Sequence, residues 1–331
     1  MVAKVANCAK QRHDDRQRVM KKESTVEGTL ETFLGGASDR PRAALSVHER
    51  VGRLEEISRQ RAAEAREAIQ MKLFPMWPDD RRGAPNDVIR SAIFGVVKTG
   101  KRKRVVKMPI ASPTGSAIAL TGWRLDQHDA DVWLEIMHLA RKEKPGDKIR
   151  FKLNMLLRRL GKTDGGRDRE WLKHRLEALT ETTIAYDDGR YAGVAGAMIS
   201  HFSIDRKTGD VVLRTNPELR ALWEDVTHLN IEDRRSLGSN QLAKALHAML
   251  SSHAAWVPMR LDTLMQRVGA EYARIRAFRG ALELVLDDFV AREWVRTYKI
   301  GRGDSGLVSI DKVPTPTQAR ALAARKALSS P

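Results

Sequence analysis

The sequence runs through the same order of predicted elements twice. Each copy consists of an amphipathic helix, a short helix, a longer helix with charge on its outer face, and strands joined by tight turns, three in the first copy and two in the second. The predicted helices lie at residues 126–144, 151–161 and 165–182 in the first copy and at 239–250, 261–269 and 271–290 in the second. Two helices joined by a short turn and followed by a hairpin are typical of a winged helix, in which the hairpin is the wing. The repeated order therefore predicts an α+β fold with tandem winged-helix domains.

Changes of composition along the chain predict five segments. The first 69 residues are densely charged, with isolated apolar side chains and several glycines, which indicates a mobile, partly helical N-terminal arm. The predicted boundaries are the charged arm at 1–69, a linker at 70–84, a first winged-helix domain at 85–216, a second at 217–312 and a basic tail at 313–331.

The first predicted domain also carries signals for individual elements. Asp126 or Asp129 can cap its first long helix, because a carboxylate there accepts hydrogen bonds from free backbone amides. Residues 86–97 are predicted as strands or short elements. Three later strands are predicted as TTIAYDD, GVAGAMISHFSID and VVLRTN, joined by the turns GR and RKTGD. A hairpin directly behind the third helix would form the wing.

The charge balance restricts the partners of the chain. The 59 lysines and arginines outnumber the 42 aspartates and glutamates and give a formal charge of +17, spread over many segments. Such a balance indicates a polyanionic partner. No apolar run approaches the roughly 18 residues of a membrane-spanning helix, and the N-terminus lacks the apolar core of a secretion signal. We therefore expect a cytoplasmic protein without a membrane partner, and the single cysteine, Cys8, excludes an internal disulfide and a Cys-based zinc site.

One group of basic residues is suited to phosphates. The segment KTGKRKRVVK (98–107) has six positive charges and no acid, so it can follow a phosphate backbone without reading bases, although a solvated loop is the alternative. Its candidate contacts are Lys98, Lys101, Arg102, Lys103 and Arg104. The predicted wings supply further candidate backbone contacts, namely Arg190, Arg206, Lys207, Arg296, Lys299 and Arg302.

The helix at 271–289 is the best candidate for reading bases. One face of it is apolar and would be buried, through Ile275, Phe278, Leu282, Leu286 and Phe289. Small and basic side chains flank or occupy the opposite face, where arginines can pair with guanine O6 and N7. The candidate contacts on this helix are Arg274, Arg276 and Arg279, among Ala273, Ala277 and Gly280. In the first domain Arg167, Lys173 and His174 project similarly, and base contact and phosphate contact stay equally open for them.

The segment QMKLFPMWPDD (70–80) places five apolar side chains and two prolines at the end of a long charged stretch. The residues alone leave two interpretations open. Leu73 and Phe74 could anchor a short linear motif in the pocket of a partner, since the following prolines keep them out of regular structure. They could equally dock on the first winged-helix domain as a hydrophobic staple.

Three phrases of the sequence resemble one known family. WPDDRRGAPNDVIRSAIF, LTGWRLDQHDADVWLEIMHLAR and FKLNMLLRRLG are similar to the TrfA family of plasmid replication initiators. The resemblance implies a protein that binds repeated DNA elements (iterons) at a plasmid origin, helps to open the adjacent AT-rich duplex and recruits host replication proteins. The implied partners are double-stranded origin DNA, single-stranded AT-rich DNA, and the host sliding clamp, initiator and replicative helicase. The resemblance also implies a monomer–dimer equilibrium.

QMKLF looks like the short peptide with which such initiators engage the sliding clamp. The resemblance assigns Gln70 to a polar subsite and Leu73 and Phe74 to an apolar pocket. Met71 and Lys72 depart from the family's commoner QLSLF, which affects the expected strength of clamp binding more than binding itself.

The motifs of covalent chemistry are incomplete in this sequence. GRGDSG at 301–306 matches a dinucleotide fingerprint by its letters but precedes a strand rather than a helix, so it is predicted as a wing turn. LLRRLGKT has Leu156 where a phosphate-binding loop needs glycine. The histidines form neither the His-x-His of a nicking enzyme nor HExxH, and the pairs Asp187–Asp188 and Asp287–Asp288 have no third metal ligand near them in sequence. We therefore expect no enzyme activity, no cofactor and no metal site.

These observations favour a plasmid DNA replication initiator that acts by binding and recruitment. A tandem winged-helix transcriptional repressor is the alternative, because it would share the basic composition and the recognition helices. Such a repressor would have no need of QMKLF.

Overall fold

The computed structural model describes residues 76–97, 102–112, 117–187 and 192–328. Helices and strands are mixed throughout these residues, which confirms a fold of both element types. The predicted N-terminal arm and the motif QMKLF lie outside the described residues. Within the described part, no helix is long and apolar enough to cross a bilayer.

The long helices coincide with the helices predicted from apolar spacing. In chain order the helices are α1 (Asn86–Ile89), α2 (Gln127–Ala140), α3 (Leu153–Arg159), α4 (Gly166–Glu181), α5 (Ile231–Ser236), α6 (Gln241–Ser252), α7 (Leu261–Arg267), α8 (Ile275–Ala291) and α9 (Pro316–Leu328), with a 3-10 helix at Pro217–Glu224. Asp126 accepts hydrogen bonds from the amides of His128 and Asp129, and the Asp129 carboxylate accepts one from the amide of Asp126 at 2.8 Å. This reciprocal capping box confirms the predicted start of α2.

The strands of the described residues form four separate antiparallel sheets. In chain order they are β1 (Arg81–Pro85), β2 (Arg104–Ile110), β3 (Ala117–Trp123), β4 (Lys148–Lys152), β5 (Thr183–Asp187), β6 (Ala192–Ala197), β7 (Ile199–Ile204), β8 (Asp210–Thr215), β9 (Val226–Asn230), β10 (Met259–Arg260), β11 (Val295–Ile300) and β12 (Leu307–Lys312). Strands β1 and β9 pair, β2-β3-β5-β6 make a four-stranded sheet, and β4-β8-β7 and β10-β12-β11 make two three-stranded sheets. In both three-stranded sheets the short first strand pairs with the last strand of the following hairpin.

The prediction of one strand over GVAGAMISHFSID was wrong. The segment forms β6 and β7, which belong to different sheets and are separated at the buried Met198. The hairpin that directly follows α4 is β5–β6, which extends the sheet of β2 and β3, whereas the next hairpin, β7–β8, pairs with β4. A glycine inside a strand pattern can mark such a break, and Gly196, with φ +82°, lies two residues before Met198. Residues 86–97 begin with the single helical turn α1.

Two hydrophobic clusters form the interior of the described residues. The first is built from residues between Trp77 and Leu229 together with Ala248. The second is built from residues between Leu237 and Ile310 together with Val96. Leu219, Trp223 and Leu229 pack in the first cluster, although they follow the predicted boundary at residues 216 and 217.

The segments predicted as linker and tail contain regular structure. In the predicted linker, Trp77 is buried and Arg81–Pro85 forms β1, paired with β9. In the predicted tail, α9 covers Pro316–Leu328, and Gln318 donates to the carbonyl of Ser251 at 2.7 Å. These contacts involve residues far away in the sequence, so composition alone did not indicate them.

A buried arginine joins the two clusters. Arg124 is 2% exposed and donates from Nη1 to the carbonyls of Ala92 at 2.8 Å and Ile93 at 3.1 Å, and from Nη2 to the carbonyl of Gly269 at 3.3 Å. A Cβ at Gly95 or at Gly269 would overlap this guanidinium, so glycine is required at both positions. Burial lowers the pKa of Arg124, and Glu271 opposes this at 3.7 Å.

A second polar contact between the clusters centres on Asp131. Its carboxylate accepts from Arg234 Nε and from Lys244 Nζ, each at 2.6 Å. Gln241 accepts a hydrogen bond from the amide of Val97 at 3.0 Å. All described residues belong to one compact unit, and these buried polar contacts hold its two clusters in a defined relation.

Candidate nucleic-acid interface

Helix α8 starts later than the sequence predicted, at Ile275 rather than Glu271. The amide of Glu271 donates to the carbonyl of Val96 at 3.1 Å, and Arg274 is extended with φ −138°. Residues 271–274 therefore form the turn that leads into the helix. The predicted apolar face is correct, with the buried side chains Phe278, Leu282, Leu286 and Phe289.

The first half of α8 presents a basic surface of small side chains to solvent. Arg274, Arg276, Ala277 and Gly280 are exposed, and a Cβ at Gly280 would meet no atom within 4 Å. Neither arginine side chain forms an ion pair with a described residue. Small side chains beside exposed arginines are compatible with the predicted contact to base edges, which stays a prediction.

Arg279 faces the neighbouring hairpin instead. Its Nη2 donates to the carbonyls of Gly301 at 2.7 Å and Gly303 at 2.6 Å, in the turn between β11 and β12. That turn is the hairpin predicted for GRGDSG, and a Cβ at Gly306 would overlap the carbonyl oxygen of Gly301. Arg279 therefore holds the hairpin turn against α8, and its predicted contact with DNA stays a prediction.

Helix α4 has a mixed outer surface. Arg167 and His174 are exposed and Lys173 is half-buried. Lys173 Nζ lies 3.7 Å from Glu170 and 4.0 Å from Glu177, and His174 Nδ1 lies 3.0 Å from Glu177. These carboxylates offset the positive charge, so the surface of α4 attracts a polyanion less strongly than the first half of α8 does.

The basic segment at 98–107 is only partly available for phosphates. Arg102 donates to Asp129 at 2.9 Å, and Arg104 pairs with Glu181 while its guanidinium lies 4.7 Å from the centre of the Trp123 ring. Lys103 is exposed. Two predicted contacts, at positions 98 and 101, lie outside the described residues. The structure therefore assigns Arg102 to an internal ion pair, because its carboxylate partner is fully buried.

The hairpin turns contain the remaining predicted backbone contacts. Arg206 and Lys207 are exposed in the turn of β7–β8, and Lys299 and Arg302 are exposed on the hairpin β11–β12. Arg296 donates to Asp311 at 3.0 Å across that hairpin. The predicted contact at position 190 lies outside the described residues, between two strands of the four-stranded sheet rather than in the β7–β8 turn.

A buried ion-pair cluster fixes α4 against α2. Arg175 Nη1 donates to both carboxylate oxygens of Asp126 at 2.8 Å and to Asp129 Oδ1 at 3.2 Å. Burial raises the pKa of Asp129 to about 7, and the neighbouring Asp126 carboxylate adds to the rise. Because Arg102 also donates to Asp129, the cluster connects the strand region before β2 with both helices.

No group of His, Cys, Asp and Glu side chains that could hold a metal ion occurs in the described ranges. Asp287 accepts a hydrogen bond from the Tyr298 hydroxyl at 2.6 Å, which raises the pKa of Tyr298 to about 12. Asp288 pairs with Arg292 at 2.7 Å. Both Asp287 and Asp288 are therefore engaged in contacts within the protein.

The end of the apolar segment QMKLFPMW docks on the first cluster. Trp77 is buried, stacks on Trp223 with ring centroids 5.6 Å apart, and donates from Nε1 to His138 at 3.0 Å. Met76 is 58% exposed. The candidate clamp-binding residues Gln70, Met71, Leu73 and Phe74 lie outside the described residues, so both interpretations of them stay predictions.

Several charged residues with structural importance were missed at the sequence level. Arg124 and Arg175 had no local signal, because their partners are distant in sequence. Arg159 and Lys162 did have one, since FKLNMLLRRLGK carries a basic group at the end of a short helix, directly before α4.

Comparison with known proteins places these features in a family. The chain matches the family described as TrfA protein over residues 44–298. It belongs to the TrfA family. A relative in this family, the plasmid replication initiator protein TrfA of Escherichia coli, is 25% identical over 247 residues, which cover 69% of this chain and 63% of the relative. The matched region thus spans less than two thirds of that relative.

Solved structures of two other proteins are similar to parts of this TrfA family member. A crystal structure of domains 2 and 3 of RctB has a TM-score of 0.45 and 13% identity, and the match covers 69% of this chain and 98% of that one. A crystal structure of the Pi initiator protein in complex with iteron DNA has a TM-score of 0.44 and 12% identity, with 57% and 94% covered.

Proposed function

We propose that this protein is a plasmid replication initiator that binds repeated origin DNA through two winged-helix domains. Its membership of the TrfA family supports this proposal, since the E. coli relative is a plasmid replication initiator. The proposed activity is binding and recruitment in the cytoplasm, without covalent chemistry of its own.

The repeated arrangement of elements is the observation that carries the proposal. Apart from β5 and β6, which belong to the four-stranded sheet, the series α2, β4, α3, α4, β7, β8 has the same order as α6, β10, α7, α8, β11, β12. Both series end in a three-stranded sheet with the hairpin's last strand in the centre. In a winged helix, the third helix of such a series reads the major groove and the hairpin contacts the backbone. Helices α4 and α8 are therefore the proposed recognition helices.

The two recognition helices have different proposed roles. The first half of α8 combines Arg274 and Arg276 with small neighbours, which suits base reading. Arg167, Lys173 and His174 on α4 stand among carboxylates and suit positioning on the backbone. Because the clusters are held together by buried polar contacts, both helices would engage adjacent major grooves as one unit.

Recruitment is proposed to depend on the segment before the first domain. Gln70, Leu73 and Phe74 would engage the host sliding clamp, and further contacts would bring in the host initiator and the replicative helicase. The proposal also includes opening of the AT-rich duplex, binding of the exposed single strand, and an equilibrium between monomers and dimers.

Fluorescence anisotropy on duplexes from the parent plasmid's origin tests the proposal. Purified full-length protein should bind a repeated origin element more tightly than a scrambled duplex, without ATP or divalent metal. Nucleotide-dependent binding, strand cleavage of supercoiled plasmid with magnesium, or equal affinity for both duplexes would contradict it.

A clamp pull-down separates an initiator from a transcriptional repressor. The double substitution Leu73→Ala and Phe74→Ala should abolish clamp capture while DNA affinity and melting temperature stay near wild type. A sharp fall in melting temperature would instead favour docking of these side chains on the first domain. Absence of capture by the wild-type protein would favour the repressor.

A further inference from the structure

A cleft of about 320 Å³ lies between helices α2, α3 and α4 on one side and α5 and α6 on the other. Five basic side chains line it, namely Arg159, Lys162, Arg234, Arg235 and Lys244. The carboxylates in its lining are Asp131 and Glu135. Arg234 and Lys244 both pair with Asp131. Glu135 is therefore the carboxylate of the lining that is left to offset the charges of Arg159, Lys162 and Arg235.

Glu135 by itself cannot balance the three guanidinium groups around it, although Arg235 also pairs with Glu232 at 2.7 Å. Its carboxylate is 1% exposed and lies 2.9 Å from Arg82, 2.9 Å from Arg159 and 3.5 Å from Arg235. The positive charge of these guanidinium groups also acts on His138. The pKa of His138 is lowered to about 3, first by burial and then by nearby arginines that include Arg82 and Arg159. The cleft is therefore bordered by an excess of positive charge in a poorly solvated setting.

Two of these cations have hydrogen-bond donors to spare. Arg159 uses Nε for Glu135, but its terminal nitrogens meet no acceptor among the described residues, and its side chain is 30% exposed. Lys162 Nζ lies 4.3 Å from the centre of the Trp171 ring and 3.6 Å from Asp168. Asp168 accepts from the amide and the hydroxyl of Thr163 through Oδ2, at 2.9 and 2.6 Å, and its other oxygen, Oδ1, faces Lys162.

The rim of the cleft leaves room for a small anion next to these donors. Gly161 separates the two cations in sequence, and Gly238 lines the opposite wall. A Cβ at either glycine would meet no atom within 4 Å. A group the size of a phosphate can therefore approach Arg159 and Lys162 without displacing side chains.

We propose that this cleft binds a phosphate group through the guanidinium of Arg159 and the ammonium of Lys162. The planar fork of arginine matches two phosphate oxygens, and lysine adds a point charge beside them. The phosphate can come from the backbone of bound DNA, in which case the inference rests on the proposed function, or from a free phosphate compound.

Tripolyphosphate is the probe for the first arm of the test. Isothermal titration should detect its binding to the full-length protein, and Lys162→Gln should weaken binding about tenfold or more. Lys162→Arg should restore it, since the charge returns. Lys144→Gln is the matched control, because Lys144 is exposed in the turn after α2, outside the cleft, and loses the same charge. Unchanged melting temperatures would show that the variants are folded.

The second arm measures DNA affinity against salt concentration. A phosphodiester in the cleft predicts that Lys162→Gln lowers the salt slope by about one unit, whereas Lys144→Gln leaves it unchanged. If Lys162→Gln weakens tripolyphosphate binding but leaves the salt slope of DNA binding unchanged, the ligand is a free phosphate compound. If Lys162→Gln changes neither tripolyphosphate binding nor the slope, the inference is wrong. If the wild-type protein binds no origin duplex, the proposed function is wrong. The tripolyphosphate titration would still show whether the cleft binds phosphate.

Discussion

The contact between Arg124 and Gly269 predicts a specific cost for a single methyl group. Gly269 has φ +58°, and a Cβ there would overlap Arg124 Nη2 and lie 2.9 Å from the Ala92 Cβ and 3.0 Å from the Gly95 Cα. Arg124 cannot move away easily, because the carbonyls of Ala92 and Ile93 hold its Nη1 at 2.8 and 3.1 Å. Gly269→Ala should therefore disturb the connection between the two hydrophobic clusters.

The magnitude follows from two separate terms. An alanine in the left-handed region costs roughly 1–2 kcal/mol, and overpacking a filled interior adds about 1–3 kcal/mol. Gly238→Ala is the matched control, because Gly238 has φ +57° and its added Cβ would meet no atom within 4 Å. The control should lose only the first term. The difference between the two variants should thus be about 1–3 kcal/mol in the free energy of unfolding.

Urea denaturation followed by tryptophan fluorescence and by circular dichroism measures both variants. The decisive comparison repeats Gly269→Ala in an Arg124→Ala background, where the space beside residue 269 is larger. There the excess over Gly238→Ala should become smaller without vanishing, because the contacts with Ala92 Cβ and Gly95 Cα remain. Equal losses for the two glycine variants in the wild-type background would refute the reasoning. An excess that persists in full without Arg124 would assign the crowding to Ala92 and Gly95.

Three further predictions follow from the charged residues. Arg102→Ala should lower the free energy of unfolding by up to about 3 kcal/mol, because the buried Asp129 loses a partner. Lys103→Ala should leave stability unchanged but lower the salt slope of DNA binding by about one unit. Arg276→Ala should cost about 1–3 kcal/mol on a cognate duplex and much less on a scrambled one in anisotropy titrations; equal losses would assign α8 to the backbone. Burial lowers the pKa of His247 to about 3, while the unfolded chain binds that proton near pH 6.5, so stability should fall as the pH decreases between these values. His247→Leu should remove about 1.4 kcal/mol per pH unit from that dependence in urea titrations, and an unchanged slope would contradict the assignment.

The sequence by itself determined the elements whose signals are local. Apolar residues at helical spacing located α2, α4, α6 and α8, because a helix brings residues three and four apart onto one face. The cap at Asp126 and the turn at Gly306 were also readable, since a capping carboxylate and a tight turn act on neighbouring backbone. The excess of basic residues indicated a polyanionic partner, because net charge depends on composition and not on the fold.

Only the tertiary structure decided which charges remain available and which are paired. Arg102 and Asp129 are separated by 27 positions, and Arg124 reaches Gly269 over 145 positions. A basic residue in an acid-free segment looks free at the sequence level, yet its partner arrives from another element when the chain folds. In the same way, the hydrogen bond of Arg279 to a hairpin turn and the cleft beside Arg159 depend on elements that are distant in sequence. Local patterns specify helices and turns because their contacts are near in sequence, whereas ion pairs and clefts depend on distances that exist only after the elements have packed.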